Sequence, residues 1–249
     1  MPSVNNDLSF PSTKITSNQS IMDEQCEEQL HIGILEIQGG FSEHKAALIK
    51  AAQLMGNEAM LKIYSVRKAE DLLSKLCGLI IPGGESTTMG LFITRNKMAD
   101  ALQDWIKDEK HIAWGTCAGL IMLANQSEKQ KIGGQSLIGG LDIVVSRNYF
   151  GRQVNSFQGK VKIVDKSLLK ENTPSYFEGV FIRAPAVVKV NSPEVSTLAV
   201  LPHSSKEKSD TIVAVKQKNI IGTAFHPELT EDLRWHEYFL KIVLSVQNH

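Results

Sequence analysis

The chain has 249 residues, with 27 Lys and Arg against 27 Asp and Glu, so its formal net charge is zero. This length allows one large domain or two small ones. The charge balance argues against a nucleic-acid-binding protein or a protein of anionic membranes, because both classes carry a basic excess. No apolar run approaches the roughly 18 residues of a membrane-spanning helix. We therefore expect neither a nucleic-acid partner nor a membrane.

Three cysteines, Cys26, Cys77 and Cys117, are widely spaced and form no CxxC motif. An odd number without such a motif is not a disulfide framework and suits a reducing compartment. The N-terminal sequence lacks the basic and apolar regions of a secretory signal, so we expect a cytoplasmic protein. Residues 1–29 are rich in Ser, Asn and Gln and are predicted to be a disordered extension. A partner-binding or sorting segment is the alternative.

Short apolar strands alternate with amphipathic helices through the first half of the chain. The predicted strands are 31–37, 59–66, 78–81 and 112–114, and the predicted helices are 42–55, 69–76, 86–94, 98–108 and 118–124. This alternation is typical of a parallel sheet that helices cover on both faces. The right-handed crossover rule then favours a doubly wound arrangement.

Strand patterns dominate the second half. The predicted strands are 141–146, 160–164, 179–182, 187–190, 196–201 and a hairpin of 211–217 with 220–225. A final helix, with Thr230 as its predicted N-cap, extends to about residue 246. The sequence thus predicts an α/β fold: a doubly wound, mostly parallel central sheet flanked by helices, with additional antiparallel strands. We expect a single domain over residues 30–249.

A Gly-x-Cys-x-Gly turn at 115–119 lies between a predicted strand and a predicted helix. Such a turn in that context is typical of a nucleophile elbow, which presents its central side chain at the carboxyl edge of the sheet. The N-terminus of the following helix favours a thiolate at Cys117. The competing interpretation is that Cys117 is a small apolar core residue.

Among seven histidines, His226 is the candidate base, because it ends the last predicted strand and an acid, Glu228, follows two residues later. Side chains at i and i+2 of an extended segment point to the same face. Glu228 can then hold one ring nitrogen while the other faces the thiol. The other histidines, His44 and His236 among them, are interpreted as structural or solvated. The sequence predicts a Cys117–His226–Glu228 triad.

An oxyanion hole is expected beside this triad. Gly83 and Gly84 follow the third predicted strand, so they lie at the same sheet edge as Cys117. The backbone N–H groups of Gly84 and Ala118 are the candidate oxyanion donors. The segment is not a Walker A loop, because it lacks the lysine and the spacing. A simple turn after a strand is the alternative.

Three motifs, at 82–88 (PGGESTT), 114–119 (WGTCAG) and 225–228 (FHPE), resemble those of class I (triad) glutamine amidotransferases, whose fold is flavodoxin-like. Gln38-Gly39 with Glu43-His44, and the stretches 147–153 and 181–185, are similar to the glutaminase subunits of pyridoxal 5′-phosphate synthase, the Pdx2/PdxT family. The resemblance covers about residues 31–245. A departure occurs at Glu36-Ile37, where the family more often has small or apolar residues.

The resemblance implies hydrolysis of L-glutamine to L-glutamate and ammonia, with Cys117 as nucleophile, His226 as base and Glu228 orienting the base. It implies a switch at Gln38 and Gly39 that responds to a partner. It implies a glutamine site formed by Gly84, Glu85, Ser86, Arg147, Ile182 and Arg183. A guanidinium suits the α-carboxylate of glutamine and Glu85 suits its ammonium. The roles of the two arginines stay open, and both could be structural ion-pair residues.

The partner that the resemblance implies is the (β/α)₈-barrel synthase subunit, Pdx1/PdxS, which receives ammonia in a hetero-oligomer and builds pyridoxal 5′-phosphate. No cofactor and no metal are expected in this chain. One alternative is a glutaminase subunit of another synthase, such as imidazole glycerol phosphate synthase, which Gln38-Gly39 and the 147–153 stretch disfavour. Another is a non-catalytic DJ-1-like protein with an elbow cysteine, although such proteins lack the His-Pro-Glu motif. A peptidase or esterase fits the two arginines less well.

Overall fold

A computed structural model of the protein describes residues 29–128, 136–151, 156–171, 173–203 and 209–247. Apart from Gln29, the extension predicted at 1–29 lies outside these ranges, as do Arg152 and Gln153 of the 147–153 motif. No helix in these ranges has both the length and the apolar character that crossing a bilayer requires.

Five parallel strands form one half of the sheet. Their order across the sheet is β2 (Leu61–Val66), β1 (Leu30–Leu35), β3 (Gly78–Ile81), β4 (Ile112–Thr116) and β12 (Ile220–Thr223). Every residue of β3, β4 and β12 is buried. Continuous burial is expected of parallel strands with both faces covered.

Antiparallel strands extend the sheet beyond β12. The strand β11 (Thr211–Gln217) pairs with β12 and is followed by β10 (Val195–Leu201), β7 (Ser156–Ile163) and β8 (Tyr176–Ile182). A branch from β11 consists of β9 (Ala186–Val190), β6 (Leu141–Ser146) and β5 (Ala124–Ser127). The described residues therefore contain one mixed sheet of twelve strands, and the predicted fold class is confirmed.

Five helices in the described ranges pack in two groups. The first group is α1 (Phe41–Leu54) with α5 (Arg234–Gln247), and the second is α2 (Ser86–Arg95) with α3 (Met98–Lys107) and α4 (Ala118–Leu123). Each of α1 and α5 turns an apolar stripe inward, as the 3.6-residue period of an amphipathic helix requires. The predicted helices at 42–55, 86–94 and 98–108 are confirmed.

Three local predictions are wrong. The segment predicted as a helix at 69–76 contains only a 3₁₀ turn at Ala69–Asp71, because the Asp71 carboxylate accepts the backbone N–H groups of Arg67 and Lys68 and closes a short turn. The helix predicted to reach residue 124 ends at Leu123, and the chain continues as β5, which pairs with β6. The strand predicted to end at 225 ends at Thr223.

The last helix also begins later than its predicted cap. The Thr230 hydroxyl donates to the carbonyl of Pro227 in a 3₁₀ turn, and α5 starts at Arg234. The Asp232 carboxylate accepts the backbone N–H of Arg234 at 3.1 Å and takes the place of the threonine.

The carboxyl ends of β1, β3, β4 and β12 meet at one edge, because these strands are parallel neighbours. The segments that leave this edge contain the motifs at 38–40, 83–88, 115–119 and 225–228. In open α/β sheets, ligands bind outside the carboxyl ends of the strands. The fold therefore places the four motifs where a site is expected.

Candidate active site

Cys117 occupies a strained turn between β4 and α4. Its backbone has φ +48° and ψ −100°, a region that residues other than glycine rarely adopt. Its N–H donates to the carbonyl of Thr223 on β12 at 2.7 Å. A methyl group on Gly119 would lie 2.0 Å from the carbonyl oxygen of Ile81, so only glycine fits there. The turn has the geometry predicted for a nucleophile elbow.

His226 faces both the thiol and a carboxylate. Its Nδ1 lies 2.8 Å from Oε1 of Glu228, and interactions with Cys117 and Glu228 both act to raise the pKa of the ring. Gly83 lies between the side chains of His226 and Cys117: a methyl group on it would lie 2.4 Å from His226 Cε1 and 3.3 Å from Cys117 Cβ. The His226–Glu228 contact arises from the 3₁₀ turn Pro227–Leu229 and not from the extended segment that we predicted.

The electrostatics of His226 favour an imidazolium. Burial opposes the charged ring, but hydrogen bonds and charge attraction from Cys117 and Glu228 outweigh it and raise the pKa of His226 to about 10. A protonated imidazole beside a cysteine sulfur is the arrangement that stabilises the thiolate in cysteine nucleophiles with a histidine partner.

The oxyanion side of the site is held by Gln38. Its Oε1 accepts the backbone N–H of Glu85 at 3.0 Å, which ties the segment after β1 to the segment after β3. Gly84 and Ala118 border the same cavity as the Cys117 side chain. Both candidate oxyanion donors therefore line the cavity that contains Cys117.

Glu85 is oriented and charged. It caps the N-terminus of α2, where its Oε2 accepts the backbone N–H of Thr88 at 2.7 Å and the Thr88 hydroxyl at 3.0 Å. Partial burial acts to raise its pKa, but hydrogen bonds from the backbone and hydroxyl groups of Thr88 and Thr87 prevail and lower it below the usual value. Arg147 Nη2 lies 3.2 Å from Glu85 Oε1 and 3.0 Å from Thr87 Oγ1.

The segment after β8 closes the remaining side. The carbonyl oxygen of Ile182 lies 3.8 Å from Cys117 Sγ. Arg183 follows with φ +43°, a second unusual backbone geometry at this site.

A cavity of about 490 Å³ unites these groups, within the ~300–1,000 Å³ typical of small-molecule sites. All the residues to which the sequence assigned a role line it: Gln38, Gly39, Gly84, Glu85, Ser86, Cys117, Ala118, Arg147, Ile182, Arg183, His226 and Glu228. Glu43 and Asn148, to which we assigned no role, line it too. Within the described chain, no three His, Cys, Asp or Glu side chains are grouped to hold a metal ion.

Two histidines behind the predicted triad, His44 and His236, were interpreted from the sequence as structural or solvated. His44 Nε2 lies 3.3 Å from Oε2 of Glu228, and His44 Nδ1 lies 3.0 Å from His236 Nε2. A signal existed in the sequence, because each histidine falls on the apolar face of its helix. His44 precedes Ala47 and Leu48 at helical spacing, and His236 likewise precedes apolar residues three and four positions later.

Comparison with known proteins identifies the family. The sequence model of the SNO glutamine amidotransferase family matches residues 34–245. This chain belongs to the SNO glutamine amidotransferase family. It is 44% identical over 216 residues to the pyridoxal 5′-phosphate synthase subunit PdxT of Pyrococcus furiosus, covering 86% of this chain and 98% of that one. It is 43% identical over 233 residues to the probable pyridoxal 5′-phosphate synthase subunit PDX2 of Arabidopsis thaliana, covering 87% of each.

Solved structures agree with this membership in the SNO family. A crystal structure of a glutamine amidotransferase superposes with a TM-score of 0.68 and 36% identity, and the match covers 85% of this chain and 98% of that one. The predicted resemblance to class I glutamine amidotransferases is confirmed. These relatives give no support to a DJ-1-like protein or to a subunit of imidazole glycerol phosphate synthase.

The departure at Glu36 is accommodated locally in this SNO-family chain. Its carboxylate accepts hydrogen bonds from the Ser65 hydroxyl at 2.8 Å and from Arg67 Nη2 at 2.7 Å. The negative charge of Glu36 is therefore paired with Arg67 at the end of β1, two residues before Gln38.

Proposed function

We propose that this chain is the glutaminase subunit of a pyridoxal 5′-phosphate synthase, which hydrolyses L-glutamine and supplies ammonia for vitamin B6 biosynthesis. The main support for this proposal is the position of Cys117, which lies in a strained turn beside the imidazole of His226. The Nδ1 atom of that imidazole is hydrogen-bonded to the buried carboxylate of Glu228. The names of the relatives PdxT and PDX2 support the choice of synthase.

The first half of the proposed reaction forms a thioester. The Cys117 thiolate attacks the side-chain amide carbon of glutamine, and the developing oxyanion accepts hydrogen bonds from the N–H groups of Gly84 and Ala118. The His226 imidazolium gives its proton to the departing nitrogen, and ammonia leaves. Glu228 keeps the ring oriented and stabilises its positive charge.

The second half hydrolyses the thioester. Neutral His226 removes a proton from water, which attacks the acyl carbon through the same oxyanion site. The bond to Cys117 breaks, L-glutamate leaves, and the thiolate–imidazolium pair is restored. Overall, glutamine and water become glutamate and ammonia.

Glutamine recognition uses charges that line the cavity. The Glu85 carboxylate is the proposed partner of the substrate ammonium, and Arg147 or Arg183 that of its α-carboxylate. Gly84, Ser86 and Ile182 complete the pocket. Because Arg147 and Glu85 contact each other in the structure, an amino acid that brings one charge of each sign can bridge them.

The proposed partner is a (β/α)₈-barrel synthase subunit that receives the ammonia in a hetero-oligomer. Gln38 and Gly39 are the proposed switch, since Gln38 holds the Glu85 backbone beside the oxyanion site. We also propose that residues 30–249 act as one domain, in the cytoplasm, where a reducing environment keeps Cys117 as a thiol.

The test is the rate of glutamine hydrolysis by the purified chain with and without the barrel subunit. We expect slow hydrolysis alone and a large increase upon complex formation, with glutamate and ammonia in equal amounts. No hydrolysis in the complex would overturn the glutaminase assignment, and equal rates in both samples would overturn activation by the partner.

A further inference from the structure

A pair of buried histidines lies directly behind the triad carboxylate. His44 on α1 and His236 on α5 are fully buried and 3.0 Å apart, although 192 residues separate them in the sequence. The indole of Trp114 packs edge-on against both rings. His44 Nε2 reaches Thr116 Oγ1 at 3.2 Å and Glu228 Oε2 at 3.3 Å. The reaction steps derived above use neither histidine.

Both imidazoles are neutral. Burial, the neighbouring His236 and the charge of His226 lower the pKa of His44 well below its ordinary value. Burial lowers the pKa of His236 to about 3. A neutral imidazole has one N–H donor and one acceptor nitrogen. The His44–His236 contact therefore requires that one ring donate and the other accept.

The surroundings select one arrangement of these protons. If His44 donated to His236, then His236 would carry its own proton on Nδ1, which is buried and has no hydrogen-bond partner among the described residues. A buried, unpaired N–H is costly. In addition, the bare Nε2 of His44 would face the Glu228 carboxylate. In the opposite arrangement His236 Nε2–H donates to His44 Nδ1 and His44 Nε2–H points toward Glu228, so no bare nitrogen faces the carboxylate, and Nδ1 of His236 is an unpaired acceptor instead of an unpaired N–H.

We propose that His44 is a positioning residue for this reaction, which donates its Nε2–H to Oε2 of Glu228 while His236 holds it in that tautomer. The inference rests on the proposed function. Glu228 then has one oxygen on His226 and the other on His44, so the plane of the carboxylate is held from both sides. Since His44 is uncharged, the negative charge of Glu228 stays available to the His226 imidazolium.

In this structure His44 Nε2 forms its hydrogen bond with Thr116 Oγ1 and lies 3.3 Å from Glu228 Oε2, which has no hydrogen-bond partner among the described residues. Hydrogen bonds of catalytic groups are often poorly aligned without substrate and tighten in the reacting complex. The backbone N–H of His44 donates to the carbonyl of Gly40, beside the Gln38–Gly39 segment. His44 therefore connects that segment to Glu228.

Two amide variants of His44 distinguish a positioning role from a role in packing alone. In His44→Gln the side-chain amide reaches the place of Nε2 and keeps a donor for Glu228, whereas in His44→Asn it reaches only the place of Nδ1. Each variant is assayed as the full chain in complex with the barrel subunit. His31→Asn is the matched control, because His31 is also hydrogen-bonded but its partner is Tyr64, outside the cavity.

We expect His44→Asn to lower kcat by about 10-fold or more with KM for glutamine unchanged, because a hydrogen bond to a charged group is lost away from the substrate. His44→Gln is expected to stay within about 3-fold of the wild-type kcat, as is His31→Asn. If the two amides behave alike, or if only KM changes, the proposal is wrong.

The rate of Cys117 alkylation by iodoacetamide provides a second measurement. A poorly held Glu228 supports the thiolate–imidazolium pair less well, so alkylation should slow in His44→Asn and recover in His44→Gln. This measurement does not need glutamine. A wild-type complex without glutaminase activity would overturn the proposed function. The alkylation rates would still test the role of His44, because equal rates in the two amide variants would refute the positioning role.

Discussion

The carbonyl of Thr223 accepts the backbone N–H of Cys117 at 2.7 Å. This hydrogen bond continues the parallel pairing of β4 and β12, in which Thr116 is the register partner of Thr223. The strand that anchors Cys117 also leads to His226, because His226 follows Thr223 by three residues. The pairing of two neighbouring strands therefore places the backbones of Cys117 and His226 side by side.

Replacing the nucleophile should abolish turnover and spare the fold. We expect Cys117→Ala to lower glutamine hydrolysis by the complex roughly 10³-fold or more, because no thioester can form. Circular dichroism and the unfolding temperature should change little. Cys77→Ala is the matched control, since Cys77 is another buried cysteine that precedes the start of β3 and does not line the cavity. Substantial activity in Cys117→Ala would refute the assigned nucleophile.

Substitution of Arg147 tests whether its guanidinium binds the substrate or only forms a structural ion pair with Glu85. If the guanidinium binds the α-carboxylate of glutamine, Arg147→Ala should raise KM about 10-fold or more, with a smaller effect on kcat. The control is Arg67→Ala, which breaks the ion pair with Glu36 outside the cavity and should leave KM unchanged. A wild-type KM in Arg147→Ala, measured by initial rates, would assign Arg147 a structural role.

The buried histidines make the fold sensitive to acid. Their pKa values are lowered in the folded chain, to about 3 for His236, against about 6.5 when unfolded. The unfolded chain thus binds protons first as the pH falls. The stabilisation is complete above pH 6.5, and below it the free energy of unfolding should drop by about 1.4 kcal/mol per pH unit for each histidine.

Urea denaturation at pH 7.5, 6.5 and 5.5 measures this acid sensitivity. His236→Phe should reduce the dependence on pH, because it removes one of the two groups. His203→Ala, at an exposed position, should retain the full dependence. A free energy of unfolding that stays constant from pH 6.5 to 5.5 would contradict the neutral state of the pair.

An added methyl group at Gly83 should lower activity, whereas one at Gly56 should lower only stability. The methyl group of Gly83→Ala would lie 2.4 Å from His226 Cε1, so the ring must move and kcat should fall about 100-fold, as expected for a displacement near 1 Å. The control is Gly56→Ala, at φ +73° with open space around it. That change should cost about 1 kcal/mol of stability and leave kcat intact. Normal kcat in Gly83→Ala would mean that the ring does not lie against Gly83 in solution.

Several features were predictable because their signals are local. The strand at 78–81 and the helix at 98–107 follow from continuous apolar character and from helical periodicity. The candidate triad followed from three short motifs that each come after a strand. Parallel strands bring the segments that follow them to one edge of the sheet. The proximity of the three motifs could therefore be predicted without knowing any long-range contact.

The contacts around Glu228 were not predictable in this way. The turn Pro227–Leu229, rather than an extended strand, directs the carboxylate toward His226. Likewise, the segment after Leu123 forms the strand β5 because it pairs with β6. In both places the local pattern allowed more than one backbone path, and long-range packing selected one.

The sequence by itself determined the alternation of parallel strands and helices in the first half, the elbow around Cys117, and the face of α1 that is buried. Only the tertiary structure decided that His44 and His236 meet behind Glu228. The physical reason is that periodicity says which side of a helix is turned inward but not what it touches. That partner depends on how α1 and α5 pack against each other and on Trp114 beneath them.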